Sequence, residues 1–238
     1  AVPVAEGVLW LRLPLPMVLD HVNCFALDEG ESWTLIDPGV HTRRSVALWE
    51  RLLVGPLAGK PVARVVVTHH HPDHIGMAGW FMARGAELWC PRTAWLYARM
   101  LALDVQERPT PEMLEFWRAG GMEAELLARK AQERPFNLAD CVHPLPLGFR
   151  RLVEGEGVAM GGRAWRVHMG DGHAPEHAAF WAEDLVLGGD QLLASISPNI
   201  GVHASEPLAD PLAEWLASCA RFAPMAAGQL VLPGHKLP

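Results

Sequence analysis

Short apolar runs alternate along the chain with segments in which apolar residues recur every three or four positions. The short runs are rich in valine, leucine and isoleucine and end at turn residues, which predicts strands. They cover residues 7–13, 22–27, 32–36, 62–67, 86–89, 149–153, 158–169, 178–182, 185–187 and 230–232. The segments with helical spacing cover residues 42–54, 73–84 and 211–222. This mixture predicts an α/β protein.

Residues 91–140 differ from the rest of the chain because helical spacing dominates most of the segment. Breaks near Pro109 and at Gly120 and Gly121 divide its helical part, residues 91–134. Its many aromatic and methionine side chains have two interpretations. They pack these helices together, which accounts for most of them, or they form a cap that offers an apolar wall to a substrate. A helical insertion around residues 91–140 is therefore predicted.

Composition is consistent with one domain of residues 1–238. The chain has 238 residues, 50% of them hydrophobic, which is enough to bury a large core. A formal net charge of −7 disfavours a nucleic-acid partner. Four cysteines without C-x-x-C spacing predict free thiols in a reducing compartment.

No apolar run reaches the roughly 18 residues that a membrane span needs. The first six residues lack the basic start and apolar centre of a signal peptide. A cytoplasmic location is favoured, although the chain does not begin with methionine, so a removed leader is left open. The sequence does not indicate an oligomeric state.

The candidate chemistry is concentrated in residues 68–76, which read THHHPDHIG. They follow a predicted strand and lead into a predicted helix, a geometry that can direct several imidazoles at one point. His69 and His71 are two residues apart and can reach one metal ion, and Asp73 and His74 lie where a second ion could bind. A lone histidine at a strand end is more often hydrogen-bonded or solvated. The spacing of several here favours a metal site, because imidazole is the commonest ligand for zinc.

The pattern His69-x-His71-x-Asp73-His74-x-Gly76 resembles the signature of the metallo-β-lactamase superfamily of di-metal hydrolases. Three later segments resemble the remaining ligand turns of that family, in the family's order: Gly172-His173, Gly188-Gly189-Asp190 and Pro233-Gly234-His235. The resemblance spans about residues 8–235. It implies a four-layer αβ/βα sandwich, with the helical insertion added to it.

The resemblance also implies a dinuclear metal site. His69, His71 and His173 would hold the first ion, and Asp190 would be shared by both ions. The second ion would be held by Asp73, His74 and His235. Zinc is the expected ion, while mixed nitrogen and oxygen ligands also suit iron or manganese. Asp73 is in addition the candidate catalytic residue, which hydrogen-bonds a bridging hydroxide and carries its proton to the leaving group.

Other polar residues near these motifs carry weaker signals. His70 is expected to point away from the site and either to pack or to support a ligand from behind. His21 could lie near the mouth of the site, although a surface role is expected. His177 is expected to be an orienting partner in the site, because metal-bound imidazoles usually donate their other N–H. Asn199, in a loop after Asp190, is hypothesised to support an oxyanion. Residues 37–39, Asp-Pro-Gly, either close the floor of the metal site or form a plain turn.

The implied function is a metal-dependent hydrolase of a small-molecule acyl substrate. A hydroxide bridging two ions would attack the carbonyl of an ester, thioester, lactone or amide. The aspartate bridge together with the Asp73–His74 pair resembles the thioesterase, lactonase and glyoxalase II-like branches rather than true β-lactamases.

Three alternatives are left open. A phosphodiesterase or nuclease of the same fold is disfavoured by the acidic charge. An iron-dependent oxidoreductase is disfavoured because His71 stands where the di-iron type tends to have glutamate. A binding module without chemistry is disfavoured by the full ligand set. The chain ends three residues after His235, where family members usually continue, so a C-terminally truncated domain is also left open.

Overall fold

The computed structural model describes residues 1–225 and 228–237 of the chain. The described strands are β1 (Val2–Ala5), β2 (Val8–Pro14), β3 (His21–Asp28), β4 (Trp33–Ile36), β5 (Val62–Val66), β6 (Glu87–Pro91), β7 (Arg150–Leu152), β8 (Gly157–Met160), β9 (Arg163–Gly170), β10 (His177–Trp181), β11 (Leu185–Gly189) and β12 (Leu230–Pro233). The described α-helices are α1 (Arg43–Val54), α2 (Pro72–Ile75), α3 (Ala78–Met82), α4 (Arg92–Leu103), α5 (Pro111–Ala119), α6 (Ala124–Lys130) and α7 (Pro211–Phe222). Within this part of the chain, no helix has the length and hydropathy that a membrane crossing requires.

These strands form two sheets. The first has the order β1-β2-β3-β4-β5-β6-β7; its strands pair antiparallel from β1 to β4 and parallel from β4 to β7. The second has the order β12-β11-β10-β9-β8; β12 and β11 are parallel and the other pairs antiparallel. Each sheet therefore has a parallel pair, β4 with β5 and β11 with β12, whose carboxyl ends meet at one edge.

Alternating side chains of the strands fill separate cores on the two faces of each sheet. In β3, Cys24 packs among residues from the helices, whereas its neighbour Phe25 packs against the second sheet. In β10, Phe180 faces the first sheet, and Trp181 packs against Phe222 of α7 with ring centroids 5.2 Å apart. Burial of one such aromatic side chain contributes about 1.5–3 kcal/mol. The layers run helix, sheet, sheet, helix, and this confirms the predicted four-layer αβ/βα sandwich.

The predicted strand over residues 158–169 is wrong, because the segment forms the two strands β8 and β9. Gly161 and Gly162 adopt φ of +56° and +71°, and Met160 pairs with Arg163 across them. Two successive left-handed residues form the tight turn that suits a β-hairpin. The apolar run therefore continues through a reversal of the chain.

The predicted helix over residues 73–84 is also interrupted and forms the short helices α2 and α3. The backbone N–H of Met77 donates to the carbonyl of Gly39 at 2.8 Å rather than to the carbonyl four residues earlier. In the insertion, α4, α5 and α6 confirm both predicted helix breaks. The short strand β1 was not predicted. Among the described strands it pairs with β2 alone, at an edge of the sheet where Pro3 is tolerated.

One edge of the sandwich gathers the sequence-predicted site residues. Asp37 directly follows β4, and His69 lies three residues after β5. In the second sheet, Asp190 directly follows β11, and His235 lies two residues after β12. Because parallel neighbours end at the same edge, residues far apart in sequence come together there.

Candidate metal centre

Three imidazoles converge at this edge. Nδ1 of His71 lies 3.0 Å from Nε2 of His69 and 3.0 Å from Nε2 of His173, and these two Nε2 atoms are 3.3 Å apart. His71 precedes α2, and His173 lies in the loop between β9 and β10. This triangle of ring nitrogens is the first ligand group.

The second ligand group combines carboxylates with imidazoles. Oδ2 of Asp73 lies 3.4 Å from Nε2 of His235 and 3.7 Å from Nε2 of His74. Oδ2 of Asp190 lies 3.3 Å from Nε2 of His235 and 3.4 Å from Nε2 of His173, while its Oδ1 lies 3.4 Å from Nε2 of His74. Asp190 thus contacts both groups, and the structure brings together all seven residues that the sequence singled out as ligands.

Backbone carbonyls behind the cluster determine which ring nitrogen carries the hydrogen in two of these histidines. Nδ1 of His173 lies 2.8 Å from the carbonyl oxygen of Asn199, and Nδ1 of His235 lies 2.9 Å from that of His21. A carbonyl only accepts hydrogen bonds, so each Nδ1 must donate. In the neutral ring, Nε2 then directs its lone pair into the cluster, as a metal ligand does.

Asp37 determines which ring nitrogen carries the hydrogen in two more histidines. Its carboxylate accepts hydrogen bonds from Nδ1 of His74, from the backbone N–H of Thr68 and from the Thr68 hydroxyl, each at 2.8 Å. Because that hydroxyl donates to Asp37, it accepts from Nδ1 of His69 at 2.9 Å. Nε2 of both rings is therefore available as a ligand, and Asp37 closes the floor of the site.

The donor set fits divalent cations. Nε2 of His69 and Nε2 of His173 lie 3.3 Å apart, and the hydrogen of each neutral ring is held on Nδ1, so their lone pairs repel one another unless a cation lies between them. Ligands of a tetrahedral zinc ion, bonded at about 2.0–2.1 Å, are separated by about 3.3 Å. Within the described part of the chain, Nε2 of His74 and Oδ1 of Asp190 are buried and have no hydrogen-bond partner. Such unpaired groups cost about 1–3 kcal/mol each unless a ligand compensates.

The surroundings divide the cluster into a neutral and a charged part. Burial, reinforced by neighbouring imidazoles, holds the pKa values of His69 and His71 well below the usual range. For His235, burial acts to lower the pKa, but hydrogen bonds to the two carboxylates of the cluster raise it to about 9. Burial also acts to lower the pKa of His74, and the charges of Asp190 and nearby carboxylates raise it well above its usual value. A cation that binds His74 and His235 must therefore displace protons, whereas His69 and His71 are already deprotonated.

Three residues beside the cluster have a left-handed backbone although none is glycine: Asp37 (φ +52°), Glu176 (φ +50°) and Lys236 (φ +68°). Such strain costs about 1–3 kcal/mol and persists where surrounding contacts enforce it. The Glu176 carboxylate accepts hydrogen bonds from the backbone N–H of Thr93, at 2.9 Å, and from its hydroxyl. It also lies 3.6 Å from Arg151. Glu176 thus joins the loop that carries the third histidine of the first group to the start of α4.

His177 contacts the cluster through Asp190 and His69. Its Nε2 accepts the backbone N–H of Asp190 at 3.0 Å, and its ring stacks on that of His69 with centroids 4.6 Å apart. The orienting role expected of His177 is thus directed at Asp190, through the backbone N–H of that residue.

The other weakly marked residues have mixed outcomes. His21 is buried and its carbonyl holds His235, so the predicted surface role is wrong. His70 packs near Tyr97, with ring centroids 5.2 Å apart, which confirms its packing role. Asn199 contacts the cluster through its backbone carbonyl while its side chain is exposed, and its oxyanion role stays a prediction.

Sequence reasoning missed two residues that support the site, Thr68 and Asn23. Thr68 directly precedes the histidine motif, so its position was a usable signal. Asn23 has no local signal, because its side chain contacts Pro233 and Lys236, more than 200 residues away.

A four-layer αβ/βα sandwich with histidines and aspartates gathered at one strand-end edge defines a class of metalloproteins. The model of the metallo-beta-lactamase superfamily matches residues 17–235. The chain therefore belongs to the metallo-β-lactamase superfamily, and the resemblance seen in its motifs is confirmed.

Individual relatives agree with this assignment. The chain is 30% identical over 244 residues to the probable metallo-hydrolase YqjP of Bacillus subtilis (strain 168), a match that covers 98% of this chain and 72% of that protein. The crystal structure of a beta-lactamase domain protein from Burkholderia ambifaria has a TM-score of 0.86 at 36% identity, covering 99% of this chain and 68% of that one. The metallo-beta-lactamase family protein TTHA1429 from Thermus thermophilus has a TM-score of 0.80 at 28% identity, covering 99% and 75%. These likenesses place the chain in a metallo-hydrolase family with this fold.

Proposed function

We propose that the protein is a dinuclear metal-dependent hydrolase of a small acyl substrate. The observation that carries the proposal is the position of Asp190, whose Oδ2 lies 3.4 Å from His173 of the first group and 3.3 Å from His235 of the second. One carboxylate in contact with two donor sets suits two cations that share a ligand. In this proposal the first ion is held by His69, His71 and His173.

The second ion is held by Asp73, His74 and His235, with Asp190 shared between the two ions. Zinc is the proposed metal, since four-coordinate nitrogen and oxygen sites are typical of it. A divalent ion with an open coordination position lowers the pKa of its bound water to about 7 and polarises a substrate carbonyl. Only two of the seven donors are carboxylates, so two bound divalent ions would keep a net positive charge. That charge would stabilise a developing oxyanion.

Asp73 is the residue proposed to transfer the proton. Its side chain is 18% exposed, against 8% for Asp190 and none for His74, so it is the most accessible of the three. Burial acts to raise its pKa, but the charge of His74 and a hydrogen bond from His235 hold the pKa below its usual value. An ionised, accessible carboxylate can accept a proton from the attacking water and pass it to the leaving group.

The substrate class rests on charge and on the ligand set. A net charge of −7 disfavours polyanionic nucleic acids. The shared Asp190 and the Asp73–His74 pair resemble hydrolases of esters, thioesters and lactones. We therefore place these acyl compounds ahead of phosphodiesters.

Elemental analysis of the purified protein, paired with a panel of lactone, thioester, β-lactam and phosphodiester substrates, tests this proposal. We expect about two ions per chain and turnover of an acyl compound that stops when a chelator removes them. Asp190→Asn should lower turnover by about 100-fold, on the scale found when metal-site partners are removed. Asp184→Asn is the control, because Asp184 is an exposed residue in the loop between β10 and β11 that pairs with Arg163 at 3.0 Å. Turnover of RNA or DNA alone, or bound iron with oxygen consumption, would contradict the proposal.

A further inference from the structure

Asn23 in β3 is joined to the turn that carries His235. Its side-chain Nδ2 donates to the carbonyl oxygens of Pro233, at 2.9 Å, and Lys236, at 2.8 Å. Its backbone N–H donates to the carbonyl of Gly234 at 2.7 Å. The residue is 1% exposed, so these hydrogen bonds have no competition from water. One buried asparagine thus binds both flanks of the turn.

Trp10 in β2 determines the orientation of this amide. The indole N–H donates to Oδ1 of Asn23 at 2.8 Å. Because an indole N–H is only a donor, Oδ1 must face Trp10, and both hydrogens of Nδ2 must face the turn. Aspartate at this position would place an oxygen against two carbonyls, and leucine would leave both carbonyls unpaired. Among these three side chains of similar size, the amide alone satisfies every partner.

The turn held in this way has little freedom to move. Lys236 keeps a left-handed φ of +68° without being glycine. The Gly234 N–H donates to the carbonyl of Gly189 at 2.7 Å, and a Cβ on Gly234 would lie 2.2 Å from Oδ1 of Asp190. The turn therefore packs directly on the strand end that carries the shared aspartate. A small displacement of the turn would change the distances from His235 to both carboxylates.

We propose that Asn23 is a positioning residue that fixes His235, and thereby sets the affinity of the second ligand group for its cation. This rests on the proposed dinuclear site. Asn23 acts through the turn and not by touching the cation or the substrate. In the described residues its hydrogen bonds reach β2 and the His235 turn, and none goes to the three histidines of the first group.

Asn137 provides a matched control in the helical insertion. Its Nδ2 donates to the carbonyls of Gln106 and Pro135, each at 3.0 Å, and its Oδ1 accepts the N–H of Gln106 at 2.7 Å. It is 4% exposed. The burial and bonding pattern match those of Asn23, while its hydrogen-bond partners lie outside the ligand groups. Loss of this amide should affect folding without affecting the site.

Zinc titration against a chromophoric chelator measures the effect on the two ions separately. Asn23→Leu should lower the affinity for the second ion by about 10- to 100-fold, the usual effect of removing a partner that orients a ligand. In Asn23→Leu the affinity for the first ion should change by less than about twofold. Asn137→Leu should leave the affinities for both ions unchanged. Wild-type affinity for the second ion in Asn23→Leu, or an equal loss at both ions, would overturn the proposal. Asn23→Ser keeps one donor, should show a smaller loss, and replaces Asn23→Leu if the latter does not fold.

Amide hydrogen exchange of the metal-free protein separates this proposal from the proposed function. The Gly234 amide should exchange about tenfold faster in the Asn23 variants than in the wild type or Asn137→Leu, since the turn loses two of its hydrogen bonds. Unchanged exchange at Gly234 would overturn the positioning role even if two ions bind. A wild-type protein that binds fewer than two ions would instead overturn the proposed function, whatever the exchange shows.

Discussion

Replacing Asp37 with asparagine changes the hydrogen bonding beneath the ligand cluster while preserving the size of the side chain. The Asp37 carboxylate accepts three hydrogen bonds at 2.8 Å, two from Thr68 and one from Nδ1 of His74. Asparagine tolerates the φ of +52° at this position about as well as aspartate does. When its oxygen accepts the Thr68 N–H, its NH2 group faces Nδ1 of His74. That ring must then carry its hydrogen on Nε2, where the second ligand group needs a lone pair.

The contacts of Asp37 indicate how far the metal affinity and the stability of Asp37→Asn should fall. Loss of an orienting carboxylate lowers metal affinity by about 10- to 100-fold, which corresponds to about 1.4–2.7 kcal/mol. The free energy of unfolding of the metal-free protein should also fall by about 1.5–3 kcal/mol, because a buried hydrogen bond to a charged group is lost. The affinity for the first ion should fall less, because the Thr68 hydroxyl oxygen lies between Asp37 and His69 and can accept hydrogen bonds from the new NH2 group and from Nδ1 of His69 together.

Chelator competition gives the two metal affinities of Asp37→Asn, and nitrogen-15 NMR of the histidine rings reports the tautomer of His74. Asp28→Asn is a suitable control, because Asp28 ends the neighbouring strand β3 and accepts a hydrogen bond from Lys60 at 2.6 Å. Asp28→Asn should leave the affinities for both ions unchanged. The reasoning is refuted if Asp37→Asn binds the second ion as tightly as the wild type, or if His74 still carries its hydrogen on Nδ1.

Three further predictions follow from individual contacts. Gly234→Ala places a Cβ 2.2 Å from Oδ1 of Asp190, so turnover should fall at least about tenfold with an unchanged circular dichroism spectrum; wild-type turnover would contradict this. Glu176→Gln removes the charge that accepts two hydrogen bonds from Thr93, so urea titration should show a loss of about 1–2 kcal/mol in unfolding free energy, and an unchanged midpoint would count against it. His235 has a pKa raised to about 9, so its protonation stabilises the metal-free fold fully below about pH 6.5, and this contribution is lost as the pH rises through 9. Affinity for the second ion should accordingly increase with pH up to about 9, and a flat profile from pH 6 to 9 would contradict the assignment.

Much of the architecture could be predicted from the sequence, because it depends on local periodicity. The apolar runs at β3, β4, β5 and β11 alternate or stay apolar according to the faces that they bury. One error arose where a distant group intervened. The helix after His71 is interrupted by a hydrogen bond from Met77 to Gly39, on another segment. No spacing rule within the helix contains that contact.

The ligand cluster was predictable for a different reason. His69, His71, Asp73 and His74 lie within one short segment, and the remaining ligands follow strand ends with glycine beside them. The supporting contacts were much less visible. Asn23 is recognised only when β3 and the last turn meet, and the buried state of His21 depends on the same contact.

The number of zinc ions bound per chain decides whether the site is dinuclear. Elemental analysis of the protein after reconstitution with zinc should give about two ions per chain for the wild type. His235→Ala should give about one ion per chain, because it leaves the three histidines of the first group intact. A wild-type count of one or none, or a variant that still binds two ions, would contradict the account.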